Sequence, residues 1–437
     1  MPYDESPELW EMQARPYLRR NFLVLAFIFI SQRVGWIFKT ESVIMPAFVH
    51  ILGGSGAIRG LLPLISRFGR SFPQFIVAHW ADRLRHKWPG LLIASLVMAT
   101  VWGVLSGVIF FSPDVKPSFI LVTFFLVYTV HWIANGNALL FGGVLQGKLI
   151  PADRRGRLLA ASNPTGCFLA IVAVYFLLGR WLARGDSGYS LVFGMTSALF
   201  FVSAFSVLAL KEPSDIPEAK SGTFGSFIAS SASIISKDRN FRRLIYVVSM
   251  FYAFHFLFPH YAVFGVESLG LEDRNFVPLL IAQNTVNALG SVMMGYMADR
   301  RGNKAVLGSL VAAAGCVPLL AVGIAALPPS LGRQLYWLVF ACIGVAPVLQ
   351  RVILNYVLEI APRERHGQYL GTLNLILTIP TMASPLVGWA IDCFSFRPVF
   401  IACSIVVFCG AMLSLKLDEP RNKEKENHGD TETRSGE

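Results

Sequence analysis

The chain has 437 residues, of which 54% are apolar and 15% are charged, well below the roughly 25% charged residues of soluble domains. A single large soluble enzyme is therefore a poor match. The net charge of +11 would suit nucleic acid only if it lay on one face of a folded polar domain, and the sequence contains no such domain. We expect a protein that lies in a lipid bilayer and binds no nucleic acid.

Long apolar runs follow one another along the chain. A membrane-crossing helix needs about 20 residues, and twelve runs approach or exceed that length. They lie near residues 22–48, 58–81, 90–111, 119–146, 158–179, 191–210, 242–266, 276–297, 305–327, 335–358, 367–391 and 398–415. Numbered span 1 to span 12, they predict an all-α polytopic membrane protein with 12 transmembrane helices.

Polar stretches divide the chain into five segments. They are an N-terminal segment (1–20), a first six-helix bundle (21–210), a linker (211–241), a second six-helix bundle (242–416) and a tail (417–437). The first twenty residues lack the apolar region of a signal peptide, so we expect span 1 itself to direct insertion. The linker is predicted to contain an amphipathic helix on the membrane surface, and the tail to be disordered.

Lys and Arg are concentrated in the N-terminal segment, in the loops that follow even-numbered spans, and in the C-terminal tail. Cationic loops remain on the cytoplasmic side of a membrane. This distribution predicts a multi-pass protein of the cell membrane with both termini in the cytoplasm. The positive net charge of the chain is therefore explained by the basic loops that set its orientation in the membrane.

The two halves of the sequence repeat each other in three places. In chain order, the residues from His79 match those from Tyr296, the residues from Pro151 match those from Pro362, and Glu212-Pro213 matches Glu419-Pro420. Three ordered matches indicate duplication of a six-span unit. Such a duplication places a binding cavity between the two halves.

The loop after span 8 carries a family resemblance. The run GYMADRRGNK, from Gly295 to Lys304, resembles the loop motif of the major facilitator superfamily, and the flanking RGxxxG-like and Glu-Pro signals lie where that family has them. The family consists of secondary transporters in which two six-helix bundles rock around a central site. The resemblance implies that fold and a transporter rather than an enzyme.

The first half departs from the family pattern. Ala78, Arg85 and His86 stand in the places of Gly, Gly and Arg, although the acidic and basic residues between them remain. Trp132 replaces the arginine expected in span 4, and the antiporter motif of span 5 is reduced to residues 163–166. These departures argue against drug/proton antiport.

The loop motif is predicted to gate the carrier. A glycine lets two helices approach closely, and an Asp and an Arg at the end of a span can pair with charges or helix termini across the bundle interface. Alternatively, the basic residues only fix the topology. The candidate gating residues are Asp82, Arg83, Gly295, Asp299, Arg300 and Gly302.

Polar side chains are distributed among the spans with a period of three. Spans 3, 6, 9 and 12 contain no Asp, Glu, Lys, Arg, His, Asn or Gln, whereas every other span has at least one. Hydrocarbon penalises such side chains, so the third helix of each triplet is expected to lie outside. The other eight spans are then the candidates to border a cavity.

Away from the ends of the spans, five cations and one carboxylate are embedded in them. One arginine at the membrane centre costs about 2.5–3.5 kcal/mol, and Glu41 alone cannot neutralise five cations. An anionic substrate would supply the missing charge, because guanidinium forks suit carboxylate and phosphate oxygens. The arginines are Arg33 in span 1, Arg67 and Arg70 in span 2, and Arg351 in span 10, with Lys39 beside Glu41 in span 1.

Other interpretations of these residues stay open. The arginines could be structural, with the same carrier fold moving a neutral or amphipathic solute, or the protein could be a membrane sensor that translocates nothing. Glu41 is also a candidate for a coupling proton, and coupling to protons or to sodium is left open. Weaker candidates for the substrate site are residues four apart on one helix face: His131 with Asn135, Gln283 with Asn287, and Arg351 with Asn355.

The sequence gives no sign of a cofactor or metal. His255 and His260 have no carboxylate or Cys partner near them, the six cysteines form no CxxC pair, and GxSxG and HExxH are absent. We therefore expect no enzyme, no metal site and no cofactor. The predicted protein is a monomeric carrier of a small molecule.

Overall fold

The structure is a computed structural model that describes residues 15–81, 84–112, 114–214, 224–362 and 365–419. Within these ranges the chain consists of helices joined by short turns, with no β-strand. Apolar side chains line most of these helices on more than one face, as expected for helices that meet both lipid and one another.

The first half contains six spans, and span 1 is interrupted. Its two helices are separated by a turn that carries the polar run Lys39–Ser42. The helices are Leu18–Ile37 and Ile44–Ile51 in span 1, Gly56–Arg59 and Leu61–Ala81 in span 2, Trp88–Phe111 in span 3, Pro117–Leu149 in span 4, Ala152–Ala173 and Gly179–Leu182 in span 5, and Asp186–Ser206 in span 6.

The second half has the same arrangement after a linker helix, Phe224–Lys237. Its helices are Arg239–Phe256 and Phe258–Leu269 in span 7, Phe276–Arg301 in span 8, Asn303–Ala325 in span 9, Pro329–Leu335, Trp337–Ile343 and Ala346–Ile360 in span 10, His366–Ile376, Thr378–Thr381 and Ser384–Phe394 in span 11, and Phe396–Ser414 in span 12.

Ten helical segments of the described chain are long and apolar enough to cross a membrane. The main helices of spans 2 and 8, Leu61–Ala81 and Phe276–Arg301, complete the twelve with 21 and 26 residues. Both carry polar side chains that face the space between the bundles. The prediction of an all-α polytopic protein is confirmed.

The ends of the two halves lie at the same end of the helices. Arg20 at the start of span 1 donates to the carbonyl of Ala209 after span 6, at 2.8 Å. Arg243 at the start of span 7 donates to the carbonyl of Lys416 after span 12, at 2.8 Å. We call this end the terminal face and the other end the opposite face.

A Glu-Pro carboxylate stands at the start of the third span in each half. Glu212 accepts from the backbone amides of Lys87 and Trp88 at 2.8–2.9 Å. In the second half, a Cβ added to Gly302 would lie 2.8 Å from Oε1 of Glu419, and Gly302 has a φ of +82° that favours glycine. Because the first amides of a helix lack intrahelical partners, a carboxylate there stabilises the helix end.

Replacing Glu212 by glutamine is expected to destabilise the first bundle. Its side chain is fully buried and pairs with the ammonium of Lys148 at 3.1 Å, so the change leaves a buried cation without its counter-charge. Breaking a buried pair in this way costs about 3–5 kcal/mol. Thermal unfolding of the purified protein measures the effect as a lower melting temperature.

The control for this variant is Glu272→Gln. Glu272 pairs with Arg274 at 2.9 Å, but both side chains are more than half exposed. Such a surface pair contributes about 0–1 kcal/mol. Equal melting temperatures for the two variants would contradict the role given to Glu212.

Candidate functional site

A cavity of about 240 Å³ lies between the two bundles, and we call it the central cavity. Its walls come from spans 1, 2 and 4 of the first half and from spans 7, 8, 10 and 11 of the second. Two side cavities share residues with it and extend towards the terminal face, with volumes of about 460 and 650 Å³. Among the described residues, none that lines the three cavities belongs to span 3, 6, 9 or 12, as the period of three predicts.

Arg33 reaches from span 1 to the second half. Its Nη2 donates to Oδ1 of Asn284 at 2.7 Å, and its Nε contacts Sγ of Cys167 at 3.4 Å. Gly166 makes room for it, since a Cβ there would lie 2.9 Å from the Arg33 side chain. The guanidinium lines both the central cavity and the second side cavity.

Arg67 also joins the two halves. Its Nη2 donates to the carbonyl and to Oδ1 of Asn374, both at 3.1 Å, and its guanidinium stands 5.5 Å from the ring centre of Tyr252. The Nε is buried and has no hydrogen-bond partner among the described residues. Asn374 belongs to the internal repeat, and no sequence pattern pairs it with this arginine.

Arg70 lines the central cavity without a hydrogen bond to any described residue. Its guanidinium lies 5.7 Å from the ring centre of Trp132. Two glycines bring spans 2 and 4 together here: a Cβ on Gly69 would lie 2.8 Å from Cβ of Trp132, and one on Gly136 would lie 2.5 Å from the carbonyl oxygen of Arg70. This close packing places the cation on the tryptophan face.

Glu41 supplies the one carboxylate that lines the central cavity among the described residues. It lies on the turn that interrupts span 1, where Oε1 accepts from the hydroxyl of Tyr128 at 2.5 Å. Lys39 and Arg70 both interact with it electrostatically. Glu41 therefore stands between one cation of the cavity and one cation behind its wall.

Lys39 is that second cation, and tryptophans enclose it. Its Nζ lies 3.3 Å from the ring centre of Trp36, 5.2 Å from that of Trp132 and 5.9 Å from that of Trp102. The side chain is fully buried, and Nζ has no hydrogen-bond partner in the described chain. Trp36 and Trp132 also line the central cavity, so they separate Lys39 from it.

The second half contributes amides and aromatic rings. Gln283 accepts from the hydroxyl of Ser42 at 2.8 Å, while Asn287 accepts from Nη2 of Arg351 at 3.1 Å. Both amides line the central cavity, but Arg351 lines the second side cavity instead. The residues predicted to bind substrate are thus divided between the central cavity and the second side cavity, which share lining residues.

An aromatic wall completes the central cavity. The ring of His255 stacks on that of Tyr252 at 5.2 Å and on that of Phe258 at 4.6 Å, and its Nε2 contacts Nε2 of Gln350 at 3.2 Å. The sequence prediction missed these residues, because aromatic side chains are common throughout membrane helices. The spacing of Tyr252 and His255, three apart on one helix face, was the available signal.

His131 and Asn135, predicted as substrate ligands, lie inside the first bundle. Nδ1 of His131 accepts from the indole of Trp102 at 3.1 Å, and its ring stacks on Phe200 at 5.8 Å. Asn135 contacts Sδ of Met98 at 3.8 Å. Neither residue lines any of these three cavities, because span 4 turns this face towards spans 3 and 6. The structure thus places both side chains away from the central cavity, and their contact with a substrate stays a prediction.

The predicted gating motif is only partly visible. Asp82 and Arg83 lie outside the described residues, and for Gly295 and Asp299 only the helical backbone is described. Arg300 is exposed at the terminal-face end of span 8. The gating role of this motif remains a prediction.

Candidate metal ligands do not cluster in the part of the chain that the structure describes. There, no group of three His, Cys, Asp or Glu side chains could hold an ion. All six cysteines are free thiols. The described side chains that line the central cavity offer guanidinium, amide, carboxylate, hydroxyl, imidazole and aromatic groups.

Comparisons with known proteins agree with this architecture. The family model of the Major Facilitator Superfamily matches residues 22–379 and 279–435. A comparison with curated proteins found no match.

Solved transporter structures share the fold. The nucleoside transporter NupG is 12% identical, with a TM-score of 0.65 over 91% of this chain and 98% of its own. The D-xylose-proton symporter is 17% identical, with a TM-score of 0.65 over 91% and 98%. A POT family transporter in complex with a thioalcohol-conjugated peptide is 13% identical, with a TM-score of 0.68 over 91% and 95%.

These identities are low, so the solved structures establish the fold, whereas the family model covers most of the chain. The twelve spans form two pseudo-symmetric six-helix bundles around a central cavity. Together these findings identify a multi-pass membrane transporter and not an enzyme. The chain belongs to the Major Facilitator Superfamily.

Proposed function

We propose that the protein is a secondary transporter that moves a small organic anion, bearing a carboxylate or a phosphate, across the cell membrane by alternating access. The observation that carries this proposal is Arg70, a guanidinium that lines the central cavity and makes no hydrogen bond to a described residue. An anionic group of the substrate would accept the bonds that the protein leaves unmade.

The charge of the central cavity supports the same proposal. Its described lining includes three guanidinium groups, of Arg33, Arg67 and Arg70, and one carboxylate, that of Glu41. Two unit charges 4 Å apart interact by about 4 kcal/mol at an effective dielectric constant of 20, so an uncompensated cation attracts an anion strongly here. Within the described chain, no carboxylate forms a salt bridge with any of the three arginines.

Two of the arginines are held in a fixed orientation. Arg33 is bonded to Asn284 and Arg67 to Asn374, and both asparagines act as acceptors from the second half. Each of these bonds uses Nη2, and Nη1 of each fork makes no hydrogen bond to a described residue, so Nη1 is the nitrogen left to meet a substrate. Such pre-ordered donors lower the entropic cost of binding.

A neutral or amphipathic substrate is the second candidate. The bonds that Arg33 and Arg67 already make to asparagines favour it, as does the aromatic wall of Tyr252, His255 and Phe258. The solved structures named above are those of a nucleoside transporter, a D-xylose-proton symporter and a POT family transporter in complex with a thioalcohol-conjugated peptide. In this alternative Arg33 and Arg67 stabilise the contact between the two halves, whereas Arg70 makes no such contact with the second half.

We also propose that the terminal face is cytoplasmic, because the basic residues of the loops predict this orientation. The two side cavities extend towards that face. The structure would then represent a state in which the site communicates with the cytoplasm. Glu41 is the group through which coupling to protons would act.

A ligand screen on the purified protein tests the charge of the substrate. Dicarboxylates, sugar phosphates, amino acids and neutral sugars are compared by thermal shift, because a ligand at 100 times its Kd stabilises the folded protein by about 2.7 kcal/mol. We expect stabilisation by an anionic compound and transport of the same compound into sealed vesicles. If only neutral compounds stabilise the protein and cross the membrane, the anion proposal is wrong.

A further inference from the structure

Basic side chains stand in two separate places around the central cavity. Arg33 donates to Asn284 of span 8, and Gly166 of span 5 makes room for its side chain. Spans 5 and 8 pack against each other. Arg67 instead donates to Asn374 of span 11, and spans 2 and 11 pack against each other. The two bundles thus meet along two seams, and each seam contains an arginine of the cavity.

A second guanidinium accompanies each of these arginines. Arg351 lies close enough to Arg33 for the two charges to repel each other, and both side chains line the second side cavity. Arg70 is one helical turn from Arg67, the two charges also repel each other, and both line the first side cavity, of about 460 Å³. We call Arg33 with Arg351 the first pole, and Arg67 with Arg70 the second pole.

Each pole has too little negative charge of its own. Among the described residues, none with a carboxylate lines either side cavity, and Glu41 is the one that lines the central cavity. Glu41 lies near the second pole, where it interacts with Lys39 as well as with Arg70. Because the charges of Lys39 and Glu41 offset each other, each pole keeps the charge of two guanidinium groups. Like charges held close together repel, and an anion that binds both of them removes that cost.

The central cavity connects the two poles, and aromatic rings form much of its wall. Trp36 and Trp132 of the first half and Tyr252 and Phe258 of the second half border it. Such rings pack against the carbon skeleton of a ligand. The cavity volume of about 240 Å³ is smaller than the about 300–1,000 Å³ of pockets for drug-sized ligands. This arrangement suits a small ligand that is charged at two ends and apolar between them.

We propose that the substrate carries two separate anionic groups, one for each pole, joined by a short carbon skeleton, as in an α,ω-dicarboxylate. This inference rests on the proposed function, because it requires that an anion is transported. It goes further by assigning Arg351 to the binding site, and by excluding a single phosphate group as the whole charge of the substrate. Once one anionic group binds its pole, the linkage holds the other group at a high effective concentration near the second pole.

Binding to the purified full-length protein, measured by isothermal titration calorimetry, tests the number of anionic groups. The ligands are the unbranched dicarboxylates from succinate to suberate, the monoamide of each, and phenyl phosphate, which carries its charge on one group. We expect one chain length to bind most tightly, because only that length reaches both poles. Its monoamide should bind about tenfold more weakly, or about 1.4 kcal/mol, which is close to the contribution of one hydrogen bond to a charged group. Phenyl phosphate should also bind more weakly than this dicarboxylate.

Substitutions in the first pole test where the second anionic group binds. In Arg33→Gln and in Arg351→Gln, we expect the best dicarboxylate and its monoamide to differ by about threefold or less, since the group that distinguishes them has lost its pole. Both ligands are measured on the same sample, so a lower amount of folded protein does not alter the comparison. Arg33→Lys keeps the charge and should keep part of the difference. Arg333→Gln, which removes an exposed cation of span 10, should keep all of it.

The possible results separate this inference from the proposed function. If each dicarboxylate and its monoamide bind the wild type equally, or if phenyl phosphate binds more tightly than every dicarboxylate, one anionic group is enough and the inference is wrong, while the anion proposal stands. Failure of every dicarboxylate to bind, in a protein that binds another anion, has the same meaning. A preference of about tenfold that survives in both Gln variants of the first pole would also overturn the inference, because the second anionic group would then bind elsewhere. If only neutral compounds bind, the proposed function fails together with the inference.

Discussion

Replacing Arg70 by glutamine is expected to abolish transport of the anion while leaving the amount of protein in the membrane unchanged. Glutamine keeps the polarity of the position but removes the charge and the two-pronged donor. Two lost bonds to a charged group, at about 1.5 kcal/mol each, reduce kcat/KM by at least about 100-fold. Transport into vesicles, together with quantification of the inserted protein, measures both quantities.

Arg70→Lys separates charge from geometry. Lysine retains the positive charge but cannot bind a carboxylate or phosphate with two parallel donors, so we expect weak residual transport. Arg333→Gln is the control for loss of one positive charge, because Arg333 is exposed in span 10 near the opposite face. Transport at the wild-type rate by Arg70→Gln would refute the assignment of the anion to Arg70.

The distribution of the spans could be predicted because burial in lipid acts on each helix separately. A helix without strongly polar side chains can face hydrocarbon wherever it lies in the chain, which is why spans 3, 6, 9 and 12 contribute nothing to the described cavity walls. The same reasoning found Arg33, Arg67 and Arg70. Each is too costly in lipid to point anywhere except towards a polar space.

The rotation of span 4 could not be predicted in the same way. Adjacent residues of a helix point about 100° apart, so a helix that turns His131 towards the cavity turns Trp132 away from it. The structure has the reverse arrangement, with Trp132 in the cavity wall. Apolar and aromatic residues surround this helix on all sides, and no face stands out in the sequence. Tertiary contacts decide the matter, because Gly69 packs against Trp132 and thereby directs the tryptophan towards span 2.

Contacts between residues far apart in the chain could not be predicted from the sequence either. In the sequence, Asp392 is an isolated charge at the end of span 11. No neighbouring residue indicates that it accepts hydrogen bonds from the backbone amides of Gly56 and Ala57 in span 2. The cage of Lys39 draws tryptophans from spans 1, 3 and 4. Such groups become visible only when the helices have been assembled.

Replacing Lys39, which lies in a cage formed by Trp36, Trp102 and Trp132, by methionine is expected to lower the affinity for the anion without unfolding the protein. In the native protein Lys39 and Arg70 share the carboxylate of Glu41. Without the ammonium, that carboxylate neutralises Arg70 and repels the substrate. We expect KM to rise about tenfold or more, since partly buried charges interact by several kcal/mol. Methionine has a similar length, and its sulfur packs favourably against aromatic rings.

A second substitution reveals whether charge or packing is responsible. If Lys39 acts by balancing Glu41, the double variant Lys39→Met with Glu41→Gln removes both charges and should restore KM to within a few-fold of the wild type. Such a strong interaction between two substitutions is expected for neighbouring charges and not for independent sites. A KM in the double variant that equals or exceeds that of Lys39→Met would mean that the tryptophan cage needs its cation for packing alone. The positive charge of the cavity would then depend on its arginines without help from Lys39.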